Sequence, residues 1–162
     1  MSPARVAAAA LALALAGRPL AAQSDSYAVP LAPTPAAGAA RGQARLHYAA
    51  SPFGIAVTVD GRASYDLAIT LTGLPAPASL GRYGVIVAWA VSPDLSLWQP
   101  LGAVSDGTTT LGPVALNKFL VVISAETTAE VTTHAGPVLL RGYSPSIWLQ
   151  SFITHPLFRG VN

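Results

Sequence analysis

Two predominantly apolar runs, 83–91 and 119–125, constrain the fold more than any other feature of the chain. Each run is short and rich in valine, and in each the side chains at both odd and even positions are apolar. A short run of this kind predicts a strand that lies centrally in a sheet and is covered on both faces. We therefore expect these two strands to carry most of the hydrophobic core.

A second β pattern precedes them. Residues 55–60 alternate apolar and polar side chains, residues 65–72 do the same, and Asp60-Gly61 lies in the connection. Alternation with period two is typical of a half-buried strand, and an Asp-Gly pair favours a tight turn. The two segments together predict an antiparallel hairpin with one wet face.

The remaining strand patterns are weaker and are separated by frequent turns, with no helical pattern between them. Pro100 and Pro113 interrupt two of these strands, which favours edge positions or bulges for both. The whole pattern predicts an all-β fold, an antiparallel Ig-like β-sandwich of about seven to nine strands, with a barrel as the alternative. These weaker strands are predicted at residues 45–49, 99–104, 109–116, 130–133 and 138–141.

Residues 1–22 have the layout of a secretory signal peptide. Arg5 precedes an apolar run at 6–16, and small residues close the segment at 20–22. The run is about half as long as the roughly 20 residues that span a bilayer, so a cleaved leader is expected and an uncleaved anchor is the alternative. The predicted location is periplasmic or extracytoplasmic. The absence of cysteine favours a bacterial origin, since secreted eukaryotic domains often contain disulfides.

The rest of the chain divides into three predicted parts. Residues 23–43 are rich in Pro, Ala and Gly and predict an extended linker, and residues 44–143 form the β domain. Residues 144–162 predict a short amphipathic helix and tail. The apolar face of this helix either covers its own domain or docks on a partner. The candidate partner-binding residues are Trp148, Leu149, Phe152, Ile153 and, on the β domain, Trp98.

The charge balance bears on the class of partner. Beyond the predicted leader the chain carries seven basic and seven acidic side chains, and charged residues make up 10% of the whole sequence. Such a chain offers no basic block that would displace counterions from phosphates, so no nucleic acid partner is expected. A weakly charged surface favours association with other proteins.

Residues that could support catalysis are few. His47, His134 and His155 lie far apart and have no metal-ligand spacing, and the chain has no cysteine. No Gly-x-Ser-x-Gly turn occurs, and Asp60 and Asp66 fall on a turn and a wet strand face rather than across a cleft. We therefore expect no metal, no cofactor and no enzymatic activity. A hydrolase with a site assembled from distant loops is a minor alternative.

Several segments together resemble a known kind of domain. Leu71-Thr72-Gly73-Leu74-Pro75, Trp89-Ala90-Val91-Ser92-Pro93 and Gly136-Pro137-Val138 are among them. Their arrangement over residues 62–142 resembles the extracytoplasmic β domain of anti-sigma-K-type regulators, and a β domain that accompanies some bacterial multicopper oxidases. The resemblance implies a scaffold without either activity. The sigma-binding helical domain and spanning helix have no counterpart here, and the clustered histidine ligands of the oxidases are absent.

These observations predict a non-catalytic, exported accessory subunit that docks onto a larger bacterial envelope assembly. That assembly is respiratory, photosynthetic, oxidase-linked or regulatory, and its protein subunits are the expected partners. Peripheral membrane association would then come through the partner or an uncleaved leader. The alternative is a stand-alone periplasmic module that binds a small ligand or glycan, with Trp98 as its aromatic platform.

Overall fold

A computed structural model describes residues 27–52, 54–59 and 61–145 of the chain. The predicted signal peptide lies outside these residues. So does nearly all of the predicted C-terminal helix, including the candidate residues Trp148, Leu149, Phe152 and Ile153.

The described residues form ten strands and two short 3₁₀ helices, and strands dominate the fold as predicted. None of the helices in this part of the chain has the length and hydropathy to cross a membrane. The 3₁₀ helices are Pro35–Ala37 and Pro77–Leu80. The strands are β1 (Ala28–Pro33), β2 (Arg41–Tyr48), β3 (Ala50–Ser51), β4 (Gly54–Ile55), β5 (Tyr65–Thr72), β6 (Val85–Val91), β7 (Trp98–Val104), β8 (Gly107–Val114), β9 (Leu120–Glu126) and β10 (Val138–Tyr143).

Eight of these strands make one antiparallel sheet in the order β7-β6-β9-β10-β1-β2-β5-β8. The sheet curls until it is nearly closed, and its two edge strands, β7 and β8, are joined by a short turn. Across the remaining gap, the Gln99 side-chain amide donates a hydrogen bond of 3.1 Å to the carbonyl oxygen of Pro113. The edge positions predicted from Pro100 and Pro113 are confirmed.

The inside of the curved sheet holds the main core. In β5 the residues Leu67, Ile69 and Leu71 alternate inward and are at most 1% exposed, while Thr70 and Thr72 point to solvent. Strand β1 joins the two halves of the sheet, because Ala28 to Leu31 pair with β2 and Ala32 and Pro33 pair with β10. One core cluster therefore collects side chains from both halves.

The central positions predicted for the two apolar runs are confirmed. Strand β6 lies between β7 and β9, and β9 lies between β6 and β10. Their inward residues join the main core, and their outward residues form a second buried cluster with Trp89 at its centre. Segment 127–137 covers this second cluster, to which Val131 contributes.

The predicted hairpin of 55–60 with 65–72 is wrong. Strand β5 pairs with β2 over eight consecutive residue pairs and with β8 on its other side, so no ladder position is left for residues 55–60. Segment 49–64 instead satisfies much of its backbone internally, as in the 2.9 Å bonds from Thr58 N to Arg62 O and from Ser64 N to Ala56 O. Val57 and Val59, predicted to be half-buried, are exposed.

The strand predicted at 130–133 is also wrong. Residues 127–137 form turns that fold over the outer face of β6 and β9, where Val131 finds apolar contacts that a ladder beside β10 would not supply. Strand β10 pairs instead with β9 and β1.

The prediction of a linker at 23–43 fails over its described part. Residues in this stretch form β1, a 3₁₀ helix and the start of β2, so the sheet begins at Ala28 rather than near residue 44. Proline removes backbone donors, which makes the stretch look like a linker. Val29 and Leu31 nevertheless alternate into the core, at 0% and 5% exposure, and their burial stabilises the strand.

Candidate functional site

A hydrogen-bonded network lies beneath segment 127–137. Glu126, at the end of β9, is 2% exposed. Its Oε1 accepts a 2.6 Å bond from the hydroxyl of Ser124 and lies 2.9 Å from Nδ1 of His134. The indole Nε1 of Trp89 donates to the Ser124 hydroxyl oxygen at 2.8 Å. A buried carboxylate needs such partners, because leaving one unpaired in a low-dielectric interior is costly.

Two aromatic contacts connect this network to the surface. The rings of Trp98 and His134 stack with centroids 4.3 Å apart and an interplanar angle of 8°. Trp98 also meets Trp89 edge to face at 5.9 Å. Its Nε1 donates a 3.1 Å bond to the carbonyl oxygen of Leu95. A continuous series of contacts therefore runs from buried Glu126 through His134 and Trp98 to the β6–β7 turn.

The β6–β7 turn holds Leu95 in an unusual backbone conformation. Its φ is +62°, which a leucine rarely adopts outside a well-supported turn. The support is a set of short bonds around Asp94, which accepts from the hydroxyls of Ser92 and Ser96 and from the amide of Ser96. The bond from Ser92, followed by those from Ser96, lowers the pKa of Asp94 below its ordinary value of 3.8. Asp94 therefore holds the β6–β7 turn together through its carboxylate.

The network does not have the geometry that activates a nucleophile. In a serine triad, histidine takes the proton of the serine. Here Ser124 donates to Glu126, and His134 is bonded to the same carboxylate oxygen. Every buried side-chain N or O among the described residues has a partner. The network therefore fixes segment 127–137 on β9, and it fixes Trp98 through His134.

Gly136 allows segment 127–137 to lie this close to β9. A Cβ at this position would overlap the backbone carbonyl oxygen of Ala125 and would come within 3.0 Å of the Tyr83 ring. The close approach also brings the Ala135 amide toward Oε2 of Glu126, at 3.4 Å. Glycine is thus required here by space rather than by its backbone angles.

Strand register shows which turns share one end of the sheet. Tyr48 pairs with Tyr65, Val91 pairs with Trp98 and with Leu120, and Tyr143 pairs with Leu120. The strand termini that carry these residues therefore lie at the same end of the sheet. The segments at this end are the start of β1, connection 49–64, the β6–β7 turn at 92–97, segment 115–119 and the residues after β10.

All the large apolar side chains that are exposed among the described residues lie at that end. We call this surface the apolar end, and its exposed fractions run from 43% at Tyr48 to complete exposure at Val59. The ring of Tyr48 contacts that of Tyr27 edge to face there and stacks on that of Tyr65 at 5.1 Å. The residues of the apolar end are Tyr27, Tyr48, Val57, Val59, Leu95, Leu97 and Tyr143.

Trp98 is the one predicted partner-binding residue that the structure describes. It is partly buried, one ring face lies against His134, and its N–H is bonded to Leu95. The free ring face that a sugar platform needs is thus reduced. The position of Trp98 suits a support for the neighbouring Leu95 and Leu97, which are exposed.

Sequence reasoning missed the pairing of Glu126 with His134. One signal was present, because Glu126 directly follows an apolar strand at a position where a buried residue is expected. The partner could not be read from the sequence, since His134 arrives from a turn that covers the outer face of the sheet.

Within the described residues no group of three histidine, aspartate or glutamate side chains is arranged to hold a metal ion. The resemblance of residues 62–142 to the β domains of anti-sigma-K-type regulators and multicopper oxidases stays a prediction. The chain matches no protein-family model, no characterised protein and no solved structure.

Proposed function

We propose that this protein is a non-catalytic, exported accessory subunit that docks through its apolar end onto a larger bacterial envelope assembly. The observation that carries the proposal is the segregation of exposed large apolar side chains to one end of the sheet. Single exposed apolar residues scattered over a surface need no explanation, whereas a contiguous group marks an interaction site.

The opposite end of the sheet exposes a different kind of side chain. Its described segments are 34–40, 73–84, 105–106 and 127–137, and their exposed residues are small, polar or charged. The whole chain is low in charge and rich in alanine. This compositional bias alone would expose apolar side chains at both ends of the sheet. The asymmetry supports selection for contact at the apolar end.

The β6–β7 turn is suited to contact a protein partner. Leu95 is 56% exposed and Leu97 is 47% exposed, yet their backbone is held by the Asp94 bonds and by Trp98. A side chain presented from a rigid support loses little conformational entropy when it binds. An apolar contact of this kind at the centre of an interface contributes strongly to affinity.

The two segments outside the described residues attach at the same end. The described chain starts at Tyr27 and finishes at Pro145, and both lie at the apolar end. The predicted leader precedes one, and the predicted partner-binding residues Trp148, Leu149, Phe152 and Ile153 follow the other. A periplasmic subunit that faces its assembly with this end would present both termini of the described chain on the same side as Leu95 and Leu97.

The finer fold that we propose for this subunit is a two-layered β-sandwich. One layer is β2-β5-β8 and the other is β7-β6-β9-β10, with β1 passing between them. The shared core cluster and the change of partner along β1 support this description.

Native size tests the proposal. The tagged full chain, gently extracted from the envelope fraction of its own cells, should migrate with a complex much larger than 16.5 kDa. The double variant Leu95→Ser and Leu97→Ser should migrate as the free chain. Ala76→Ser with Ala78→Ser, exposed at the opposite end, should leave the complex intact.

Both double variants should keep the thermal midpoint of the parent, because the substituted side chains are exposed. Migration of the parent chain as a free species would refute the subunit proposal. Intact complex formation by the Leu95 and Leu97 variant would refute docking through this turn.

A further inference from the structure

The donors and acceptors around Glu126 fix where the protons of its network lie. The indole Nε1 of Trp89 can only donate, so the Ser124 hydroxyl oxygen accepts its 2.8 Å bond. Among the described residues the Ser124 hydrogen has one acceptor, Oε1 of Glu126 at 2.6 Å. Imidazole is a stronger base than carboxylate, so Nδ1 of His134 carries the hydrogen in its 2.9 Å contact with the same oxygen. His134 therefore donates to a buried carboxylate through Nδ1.

The second ring nitrogen of His134 is open to water. Its Nε2 makes no hydrogen bond or ion pair within the described part of the chain. Every buried side-chain N or O atom of that part has a partner, so Nε2 is not buried, and the side chain is 21% exposed. Histidine is the side chain whose ordinary titration falls between about pH 5 and 8. A proton can therefore join or leave at Nε2 while the Nδ1 bond to Glu126 persists.

Protonation at Nε2 strengthens both contacts of the His134 ring. The contact with Glu126 becomes an ion pair, and hydrogen bonds between charged groups are stronger than those between neutral ones. The ring also lies flat on Trp98 with centroids 4.3 Å apart, which is within the distance at which an indole face attracts a cation. The charged ring therefore holds Trp98 more firmly than the neutral ring does.

Trp98 carries this effect to the β6–β7 turn. Its Nε1 donates a 3.1 Å bond to the carbonyl oxygen of Leu95. The φ of Leu95 is +62°, a conformation that persists only where the surrounding contacts support it. Firmer stacking of Trp98 on His134 therefore restricts the turn that presents Leu95 and Leu97 to solvent.

Glu126 is the charged group in contact with His134. Strands β6 and β7, which supply the two neighbouring tryptophans, contain no titratable side chain. The titratable groups of the other surrounding elements make no hydrogen bond or ion pair with His134 within the described residues. These groups are Arg82 and Tyr83 before β6, Asp94 in the β6–β7 turn, Lys118 before β9, Glu130 in segment 127–137, and Arg141 and Tyr143 on β10.

We propose that His134 is a proton-sensitive switch, in which protonation at Nε2 tightens the β6–β7 turn through Trp98 and strengthens docking by Leu95 and Leu97 at acid pH. The coupling to docking rests on the proposed function. The response of the turn to the proton does not, because it needs only the contacts from Glu126 to Leu95. The two parts therefore have separate tests.

NMR of the isotopically labelled full chain tests the switch. Between about pH 8 and 5, Nδ1 of His134 should stay protonated while Nε2 gains a proton. The Trp98 indole N–H and the Leu95 amide should shift with the same midpoint. In His134→Asn, whose side-chain amide places a donor near the Nδ1 position, both shifts should be absent. His47→Asn removes an exposed histidine on β2 and should leave both shifts unchanged.

Trp98→Phe separates the two contacts of the indole. Phenylalanine keeps a ring against His134 but has no donor for the carbonyl oxygen of Leu95. Nε2 should therefore still titrate, and the Leu95 amide should no longer follow it. Shifts of Trp98 or Leu95 that persist in His134→Asn would overturn the switch, as would their loss in His47→Asn.

Native size at two pH values tests the coupling to docking. In extracts of the envelope fraction, the tagged parent chain should associate with its complex about fivefold more tightly at about pH 5.5 than at about pH 8. His134→Asn should associate equally at both. Equal association of the parent chain at both values would overturn the coupling. A parent chain that is free at both values, but whose Leu95 amide still titrates with His134, would refute docking and support the switch.

Discussion

The β6–β9 half and the β2–β5 half of the sheet face the same core but differ on their outer faces. Strands β6 and β9 are covered outside by segment 127–137, which buries Trp89 and Val122. Strands β2 and β5 carry threonine, glutamine and arginine outside and stay in water. This difference shows that burying the second face of a sheet requires more than apolar strands. It also needs a segment that can approach closely and a polar network that holds it.

Polar groups have different roles in the two halves. Glu126 is buried and bonded to Ser124 and His134, so its hydrogen bonds contribute to stability in a low-dielectric site. The bond between Thr70 and Thr108 is exposed, and water can replace it. Three predictions test this difference, and the first concerns the close approach of segment 127–137.

Gly136→Ala should have the largest effect. The added Cβ would overlap the carbonyl oxygen of Ala125, so segment 127–137 must move away from the covered face. We expect a loss of about 4 kcal/mol in the free energy of unfolding, measured by denaturant titration. Gly38→Ala is the matched control on the β2 side. Its φ is +60° but nothing lies within 4 Å of its Cβ, so we expect a loss of about 1 kcal/mol. Similar losses in both variants would contradict the close-packing argument.

Glu126→Ala should have an intermediate effect. Removal of the carboxylate leaves the Ser124 hydroxyl and His134 Nδ1 without their acceptor, and we expect a loss of about 2 kcal/mol in unfolding free energy. Thr70→Val, which removes the exposed pair with Thr108, should stay within about 0.5 kcal/mol. Trp98 fluorescence should change in the Glu126 variant, since His134 stacks on that ring. An unchanged stability would mean that the network does not hold segment 127–137.

Protonation of Asp94 should have the smallest effect on stability, and this effect should be confined to acid pH. Its pKa is lowered in the folded protein, chiefly by the Ser92 hydroxyl and then by Ser96. A depressed pKa of an acid means that its contribution to stability is present above the unfolded value and is lost as the pH falls through the folded pKa. We expect the NMR shift of the Ser96 amide to titrate with a midpoint below 3.8. This titration should be absent in Asp94→Asn. A midpoint at or above 3.8 in the parent chain would contradict the assigned bonds.

The local sequence pattern predicted much of the fold. It succeeded for features that depend on the composition of a single strand, such as an interior or an edge position in the sheet. The runs at 83–91 and 119–125 became β6 and β9 in the centre of the sheet, and Trp89 is fully buried as expected. Pro100 and Pro113 lie on edge strands. The partner of β5 was predicted incorrectly, because alternation says which face is buried but does not say which strand lies alongside.

The candidate site was much less predictable. Trp98 was selected for exposure, yet its neighbours Leu95 and Leu97 are the exposed residues, and Trp98 lies between them and His134. The apolar end was also not foreseen. Its members come from five separate parts of the chain, and only the antiparallel register brings them to one end.

The sequence by itself determined the β class, the two central strands and the edge positions, because side-chain period and the missing donor of proline act over a few residues. Only the tertiary structure decided that β1 joins the sheet, that His134 reaches Glu126, and that the exposed apolar side chains gather at one end. The physical reason is that these contacts lie between residues distant in sequence. Their free energy depends on which surfaces the curled sheet brings together, and no local pattern encodes that choice.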